Sequence, residues 1–525
     1  MLRTLTKIKG IIAKLPRRTI FFCLLSAIFI ILSFPKYDIF PLCWVALIPL
    51  LFAIEGCTWR QAFARGYFTG IVVYCGTLTW FINMAATAEI PLPLAVAALI
   101  GMAIYLSVYY GLFGAGIVLL AERKWHFRVF MCPAMWVILE FARDHLFSGF
   151  GWLSLGYSQY KFLSLIQIAD ITGVMGVSFL LVLTNVILKE SLGAYFKKET
   201  PRYFNAVILL TVVLLAAVIF YGRAKLSVQP REEEMIEVAV VQGNIDQNKK
   251  WRPWHWPEII NKYFALTEAA AASKPDLIIW PETSFPGYLW DYPPGMFADI
   301  QRFVREHKIP LLFGAVLREG EEYFNTAVLL DETGEVVTRY DKLHLVPFGE
   351  FLPLRNVFPI LKELIPIADF TNGEIATQFP VVAKKGSREH SNHFSVLICF
   401  EDTVARLARR LVNAGAGLLV NITNDAWFLD SKEPHLHLQG AVFRAVENRR
   451  DIIRAANTGI SCFISRKGEI HAVLKDAEDD PTYVEGHITS SAAFYRRKTF
   501  YTQYGDVFVF ICFSFFILNM IFLKE

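Results

Sequence analysis

Seven apolar segments lie before Gly222, at roughly 19–34, 39–55, 63–85, 90–121, 127–142, 162–188 and 204–222, and an eighth lies at about 505–523. A hydrocarbon core of about 30 Å takes roughly 20 mostly apolar residues per helix. The first 222 residues therefore read as a polytopic α-helical membrane bundle, not as part of a simple soluble protein. Charge makes the same division: residues 1–222 hold 18 Lys/Arg and 9 Asp/Glu, net +9, while residues 223–525 hold 34 and 39, net −5. The first apolar segment follows Lys14, Arg17 and Arg18 as a signal peptide would, but no small-x-small cleavage site follows and another segment begins almost at once. It is read as a retained helix. The expected organisation is a membrane domain of seven helices over 1–222, a water-soluble domain over 223–503, and an eighth helix with a cytoplasmic C-terminus over 504–525.

Basic residues near span ends stay on the cytoplasmic side. With the N-terminus inside, the inner loops hold 15 Lys/Arg and the outer loops only Lys36, Arg143 and Lys161. This bias predicts that the soluble domain is extracytoplasmic. The basic excess borders apolar segments, and the soluble half carries no basic stripe with interleaved aromatics, so nucleic acid is not an expected partner. Charges within spans are costly and often functional. Glu140, Arg143, Asp144 and Asp170 are such residues, although the spacing of the first three also suits pairing along one helix face. The loop SGFGWLSLGYSQ at 148–159 suits either an interfacial aromatic belt or a headgroup site.

Residues 237–503 alternate short β-branched runs with helical stretches, the pattern of an α/β domain whose functional residues sit just beyond strand ends. The runs are EVAVVQGNI, DLIIWPET, IPLLFGAVL, YFNTAVLLD, SVLICFED and GLLVNITND, with helices expected over 256–273, 297–307, 402–414 and 435–450. Of eight cysteines only Cys399 and Cys462 belong to this domain. They allow a single bridge in an oxidising compartment, whereas the run ISCFIS places Cys462 as a small buried hydrophobe. No CxxC, His/Cys cluster or nucleotide-binding glycine loop occurs, so no metal or cofactor is expected.

Three residues have catalytic character. Cys399 ends the run FSVLIC and opens a helix, where partial positive charge favours thiolate, although cysteine is also among the most commonly buried residues. Glu282 follows the strand DLIIW in WPET and is placed to act as a general base, although Pro-Glu-Thr is also an ordinary helix entry. Lys342 lies in TRYDKLHLVPFGE, which is too apolar for a plain solvated loop, and its ammonium is suited to an oxyanion.

Taken together, WPET, YDKLHLVPFGE, ICFED and NITNDAWF, with Glu282, Lys342 and Cys399 spaced by 60 and 57 residues, resemble the nitrilase superfamily and its Glu-Lys-Cys triad. With seven spans before and one after, the whole chain resembles the bacterial apolipoprotein N-acyltransferases, the membrane-embedded members of that superfamily. The resemblance implies an α-β-β-α sandwich on the periplasmic side of the bacterial inner membrane. It also implies ping-pong transfer of an acyl chain from a phospholipid, through a thioester on Cys399, to the α-amine of diacylglyceryl-modified apolipoproteins. Glu282 would carry the proton and Lys342 the oxyanion. Glu350 matches the second glutamate of the family and would orient the lysine. Trp251, Glu401 and Trp427 match positions that would shape the acyl and headgroup pocket. Phe400 stands where the family often has tyrosine and brings a ring without a hydroxyl, and Gly151 stands in FGW where proline is expected.

Two apolar insertions, 351–370 and 285–297, are rich in Leu, Ile and aromatic residues. Prolines at 353, 359 and 366 oppose one regular helix, so the first insertion is expected to be a mobile, membrane-facing arm over the site. Other readings of the same residues are a membrane-tethered amidase that uses water as acceptor, and an inactive receptor that binds lipoprotein.

Overall fold

The structure is a computed structural model that describes residues 17–121, 123–228, 234–290, 295–347, 349–352, 369–381 and 392–522. The chain forms two compact units, one comprising Met1–Leu226 with Asp506–Glu525 and the other Ser227–Gly505.

The first unit is helical. Leu92–Leu119, Val174–Lys197 and Phe204–Ser227 are long and apolar enough to cross a membrane, and Trp59–Thr77 with Trp80–Thr87 would make a fourth span bent by 47°. Against the eight expected spans, the described residues thus hold three by length and composition, or four with the bent pair. Breaks in the backbone account for much of the difference. The segment expected over 162–188 starts as two single turns, Leu163–Ile166 and Ala169–Thr172, and becomes a helix only after Gly173, whose φ of 63° interrupts the ladder. The second segment is a 3₁₀ turn, Phe40–Trp44, followed by the seven-residue helix Ile48–Ile54. The first and last helices, Arg17–Leu32 and Val507–Phe522, have 16 residues each.

Glycine permits a close helix contact in this unit. A Cβ at Gly66 would lie 2.2 Å from the Tyr110 carbonyl oxygen, and one at Gly114 would lie 2.5 Å from that of Ala62. Small residues therefore let Trp59–Thr77 and Leu92–Leu119 pack backbone to backbone, as intramembrane helices commonly do. Arg143 donates to the Tyr74 hydroxyl at 3.2 Å, to Ser154 Oγ at 2.7 Å and to Asp144 Oδ1 at 3.1 Å. Glu140 Oε1 accepts the Leu155 N–H at 2.8 Å. These charges hold the aromatic loop 148–159 in place, so pairing within the helix was only part of their role. Asp170 accepts from the Tyr221 hydroxyl at 2.7 Å.

The second unit holds two sheets. Its strands are β1 (Met235–Gln242), β2 (Leu277–Ile279), β3 (Tyr288–Leu289), β4 (Leu311–Glu319), β5 (Glu322–Leu330), β6 (Val336–Asp341), β7 (Phe379–Val381), β8 (Asn392–Ile398), β9 (Leu418–Thr423), β10 (Ile452–Ala456), β11 (Cys462–Ile464), β12 (Ile470–Val473) and β13 (Gly486–Ala493). One sheet runs β13-β1-β2-β4-β5-β6, with β3 paired to β4, and the other runs β12-β11-β10-β9-β8-β7. Within them β1, β2 and β4 are mutually parallel, as are β8, β9 and β10. The sheets face one another through β1 against β10 and β5 against β8. Helix Trp256–Ala271 covers β1, β2 and β13, and helix Glu433–Asn448 covers β10 and β11, which gives an α-β-β-α layering. Central strands buried on both faces are continuously apolar, as parallel strands require. In the first core Trp280 is fully buried, stacks on Tyr263 at 4.8 Å and donates its indole N–H to Thr267 at 2.8 Å. Cys462 is buried in β11 as a free thiol, and Cys399 is also free, so the bridge between them is absent.

Candidate active site

Three strand ends converge. Glu282 lies on the turn after β2, Lys342 directly follows β6, and Cys399 directly follows β8. The Glu282 turn rests on β4 at Gly314, where a Cβ would come within 2.5 Å of the Thr283 nitrogen and 2.6 Å of Glu282 Cα. Only glycine admits that approach. Lys342 is anchored through its backbone, whose N–H donates to the Asn325 carbonyl at 2.9 Å and whose carbonyl accepts from Gly373 N–H at 2.8 Å. Cys399 has φ 54°, a left-handed conformation that a non-glycine residue holds only when its surroundings impose it.

The Lys342 ammonium is fully buried, 2.8 Å from Glu350 and 3.8 Å from Glu282. Asn325 Nδ2 bridges the two carboxylates, donating to Glu282 Oε1 at 2.7 Å and to Glu350 Oε1 at 2.9 Å. The second oxygen of Glu350 accepts the Val346 N–H at 2.8 Å, which fixes the carboxylate against its own loop. Burial alone would lower the lysine, but Glu350, Cys399 and Glu282 raise it well above its ordinary value, so it remains an ammonium. The Cys399 thiol is pushed well above its ordinary value, chiefly by burial and then by Glu282, with Lys342 opposing. It is therefore a thiol at rest. The helix N-terminus expected to favour thiolate is a five-residue 3₁₀ turn, Cys399–Thr403, too short to outweigh burial and the adjacent carboxylate.

Glu401 is turned into the protein interior. It is fully buried and accepts the N–H groups of Ile398 at 2.8 Å, Leu343 at 2.7 Å and His344 at 2.9 Å, together with the Tyr340 hydroxyl at 2.9 Å. One carboxylate thus bolts the Cys399 turn to the segment that carries Lys342. Burial raises its pKa to about 7, with the backbone donors and Lys342 pulling against that rise. Phe400 is buried and its ring stacks on His344 at 5.7 Å, so an apolar contact occupies the place of a hydroxyl. Trp251 and Trp427 remain exposed, by 41% and 37%. Most of the apolar insertion, residues 353–368, and part of the other, 291–294, lie outside the described residues.

A buried charge network lies beneath the Cys399 turn. Arg454 pairs with Asp402 at 2.6 Å and Asp425 at 3.1 Å, and donates to Asn421 Oδ1 at 2.7 Å. Asn421 in turn donates to the carbonyls of Leu397 and Cys399 at 3.1 and 3.2 Å.

Residues 26–187 match the family model described as the apolipoprotein N-acyltransferase N-terminal domain, and residues 237–495 match carbon-nitrogen hydrolase. An apolipoprotein N-acyltransferase of Geobacter metallireducens is 39% identical over 506 residues, covering 95% of this chain and 94% of that protein. The chain belongs to the apolipoprotein N-acyltransferase family. A second relative of that name, from Chlorobaculum tepidum, is 29% identical over 535 residues and 96% of each chain. A solved amidase from Nesterenkonia sp. aligns with 54% of this chain and 98% of its own, at 19% identity and TM-score 0.37.

In this apolipoprotein N-acyltransferase family member, donor atoms of Asp425, Glu433 and His437 lie within 4.8 Å of one another, a separation that would suit a metal ion. Positive charge is already supplied there by the protein. His437 faces Asp425 through Nδ1 at 3.5 Å and Glu433 through Nε2 at 2.7 Å, and Arg454 holds the other Asp425 oxygen. Burial would lower His437, but Glu433, Asp402 and Asp425 raise it to about 10, so it stands as an imidazolium in the place of a cation.

Sequence reading missed Asn325, Asn421, Arg454 and Lys250. Asn325 and Asn421 were accessible in principle, since each is an amide inside an otherwise apolar strand, where a buried polar side chain needs a partner. Lys250 was not, because the run NKKW reads as a solvated turn.

Proposed function

We propose that the protein transfers an acyl chain from a phospholipid to the α-amine of the lipid-modified N-terminal cysteine of apolipoproteins, with Cys399 as the covalent carrier. The observation that carries this reading is the convergence of Glu282, Lys342 and Cys399 in a chain whose relatives bearing that activity in their names match it nearly end to end. A resting thiol beside a carboxylate calls for proton removal as the bond forms. In the first step Glu282 takes the thiol proton while sulfur attacks the ester carbonyl, and the Lys342 ammonium faces the developing oxyanion. The tetrahedral adduct expels lysophospholipid, which leaves with the proton returned by Glu282. In the second step the substrate amine attacks the thioester, Glu282 accepts its proton, the C–N bond forms, the C–S bond breaks, and the thiol is restored.

A cavity of about 650 Å³ has Leu345, Phe351, Leu352 and Phe370 on one part of its wall and Glu321, Glu322 and Asp369 on another, a mixed lining that suits an amphiphilic substrate. The shorter apolar helices Arg17–Leu32, Phe40–Ile54, Trp125–His145 and Val507–Phe522 are proposed to share the bilayer with the three longer ones. The loop charge bias supports a multi-pass protein of the bacterial inner membrane whose second unit faces the periplasm. The test is product analysis by mass spectrometry, using a diacylglyceryl peptide with a free N-terminal amine and a phospholipid donor. The reading expects an N-acyl triacylated peptide, and none when the amine is acetylated beforehand. Release of free fatty acid with the peptide unchanged would make the enzyme a hydrolase.

A further inference from the structure

Of two adjacent lysines after β1, Lys249 faces solvent and Lys250 turns inward to only 2% exposure. Burying an ammonium is costly unless something requires it. Lys250 closes the short helical turn Gln247–Lys250, which Asp246 caps by accepting the Asn248 and Lys249 N–H groups at 2.8 and 3.3 Å. Its carbonyl accepts the Trp256 indole N–H at 3.1 Å, so the residue is fixed from both sides. The ammonium does not sit against a carboxylate. It donates to the backbone carbonyl of Glu282 at 3.0 Å, on the same turn that Gly314 supports from β4 and in which Thr283 has φ 46°.

We propose that Lys250 is a positioning residue for the general base: its ammonium clasps, through the Glu282 carbonyl, the turn that presents the Glu282 side chain. The inference rests on the acyl-transfer reading above. The groups facing Glu282 are Lys342 from the end of β6, Glu350 from the loop beyond it, Cys399 from the end of β8, and Lys250. The group facing Lys250 is Glu282. Lys250 and Lys342 are thus the two cations at the base, but they behave differently. Lys342 is held charged by the carboxylates of Glu350 and Glu282, whereas burial draws Lys250 down to about 7, with Glu282 alone opposing. Below pH 7 Lys250 is a cation and its bond to the Glu282 carbonyl is charge-assisted. Above pH 7 that charge is lost and the clasp weakens to a neutral hydrogen bond.

The test measures the rate of thioester formation on the full-length protein in lipid nanodiscs, with acyl-labelled phospholipid, from pH 4.5 to 9. Lys250→Gln keeps a donor for the Glu282 carbonyl and removes the charge, Lys250→Met removes both, and Lys250→Arg keeps the charge at every pH. The wild-type rate is expected to inflect near pH 7 as the clasp loses its charge. Lys250→Arg should keep the low-pH rate and lose the inflection, and the two neutral variants should lose it too, with Lys250→Met slower than Lys250→Gln because it also lacks the donor. A purely structural lysine would change the rate at all pH values and leave the inflection in place. Neutral variants that keep the inflection would overturn the proposal, as would an arginine variant that keeps it. If the neutral variants do not accumulate folded, the arginine variant decides by itself. Absence of thioester in the wild type would remove the acyl-transfer reading and this inference with it, whereas thioester formation with an unmoved inflection would remove this inference alone.

Discussion

Lys342 is bound to Glu350, not to Glu282: its ammonium lies 2.8 Å from the first carboxylate and 3.8 Å from the second. The division assigns roles. Glu350 neutralises and aims the buried lysine, and in the proposed mechanism Glu282 is left free to exchange a proton with substrate. Replacing Glu350 by Gln would leave a buried ammonium with its nearest anion removed, a change worth about 3–5 kcal/mol where buried pairs have been broken. Thioester formation in Glu350→Gln is therefore expected to fall by at least about 100-fold, and Glu350→Asp should fall less. Stopped-time labelling with acyl-labelled phospholipid measures both.

Glu401 predicts a defect at a distance from substrate. Its carboxylate accepts three backbone N–H groups and a hydroxyl, so an amide in its place would turn an NH₂ toward a donor. Each such mismatch costs about 1–3 kcal/mol. Glu401→Gln should lower the Tm by several degrees and slow thioester formation, because the Lys342 segment and the Cys399 turn lose their common anchor. Scanning fluorimetry and the labelling rate check the two effects on one sample.

The network beneath the nucleophile depends on a single guanidinium. Arg454→Met would leave Asp402 and Asp425 buried without their shared partner and Asn421 without the bond that orients it. A loss of about 3–5 kcal/mol is expected. Thermal unfolding checks the loss, and the double variant Arg454→Met, Asp402→Asn should recover part of it.

His437 gives a pH dependence whose sign is fixed. Its folded-state value of about 10 exceeds the ordinary 6.5, so its stabilisation is complete below pH 6.5 and is lost as pH rises through about 10. The wild-type Tm should decline across that window. His437→Gln should start lower and lack that component of the decline, as Tm measured between pH 6 and 10 will show.

Much of the site was legible because strand ends carry function. The runs DLIIW and FSVLIC locate β2 and β8 from apolarity alone, and Glu282 and Cys399 follow them directly. Lys342 could be flagged only by the apolar character around it, and its partnership with Glu350 needed the loop to fold back eight residues later. Glu401 and Tyr340 are 61 residues apart, and only the packing of β6 beside the nucleophile turn brings them together. The apolar helices were visible as composition, yet their lengths were not. Gly173 and the kink between Thr77 and Trp80 are backbone events inside continuous apolar runs, where hydropathy carries no signal.

The central claim is that Cys399 carries the acyl group, and intact-mass analysis of the protein after incubation with a defined phospholipid, before any amine is added, tests it most directly. The account predicts a mass increase of one acyl chain in the wild type, its removal by neutral hydroxylamine, its transfer to a diacylglyceryl peptide on chase, and no increase in Cys399→Ala. A wild-type protein that acylates the peptide while Cys399 stays unmodified, or a Cys399→Ala variant that still transfers the chain, would contradict it.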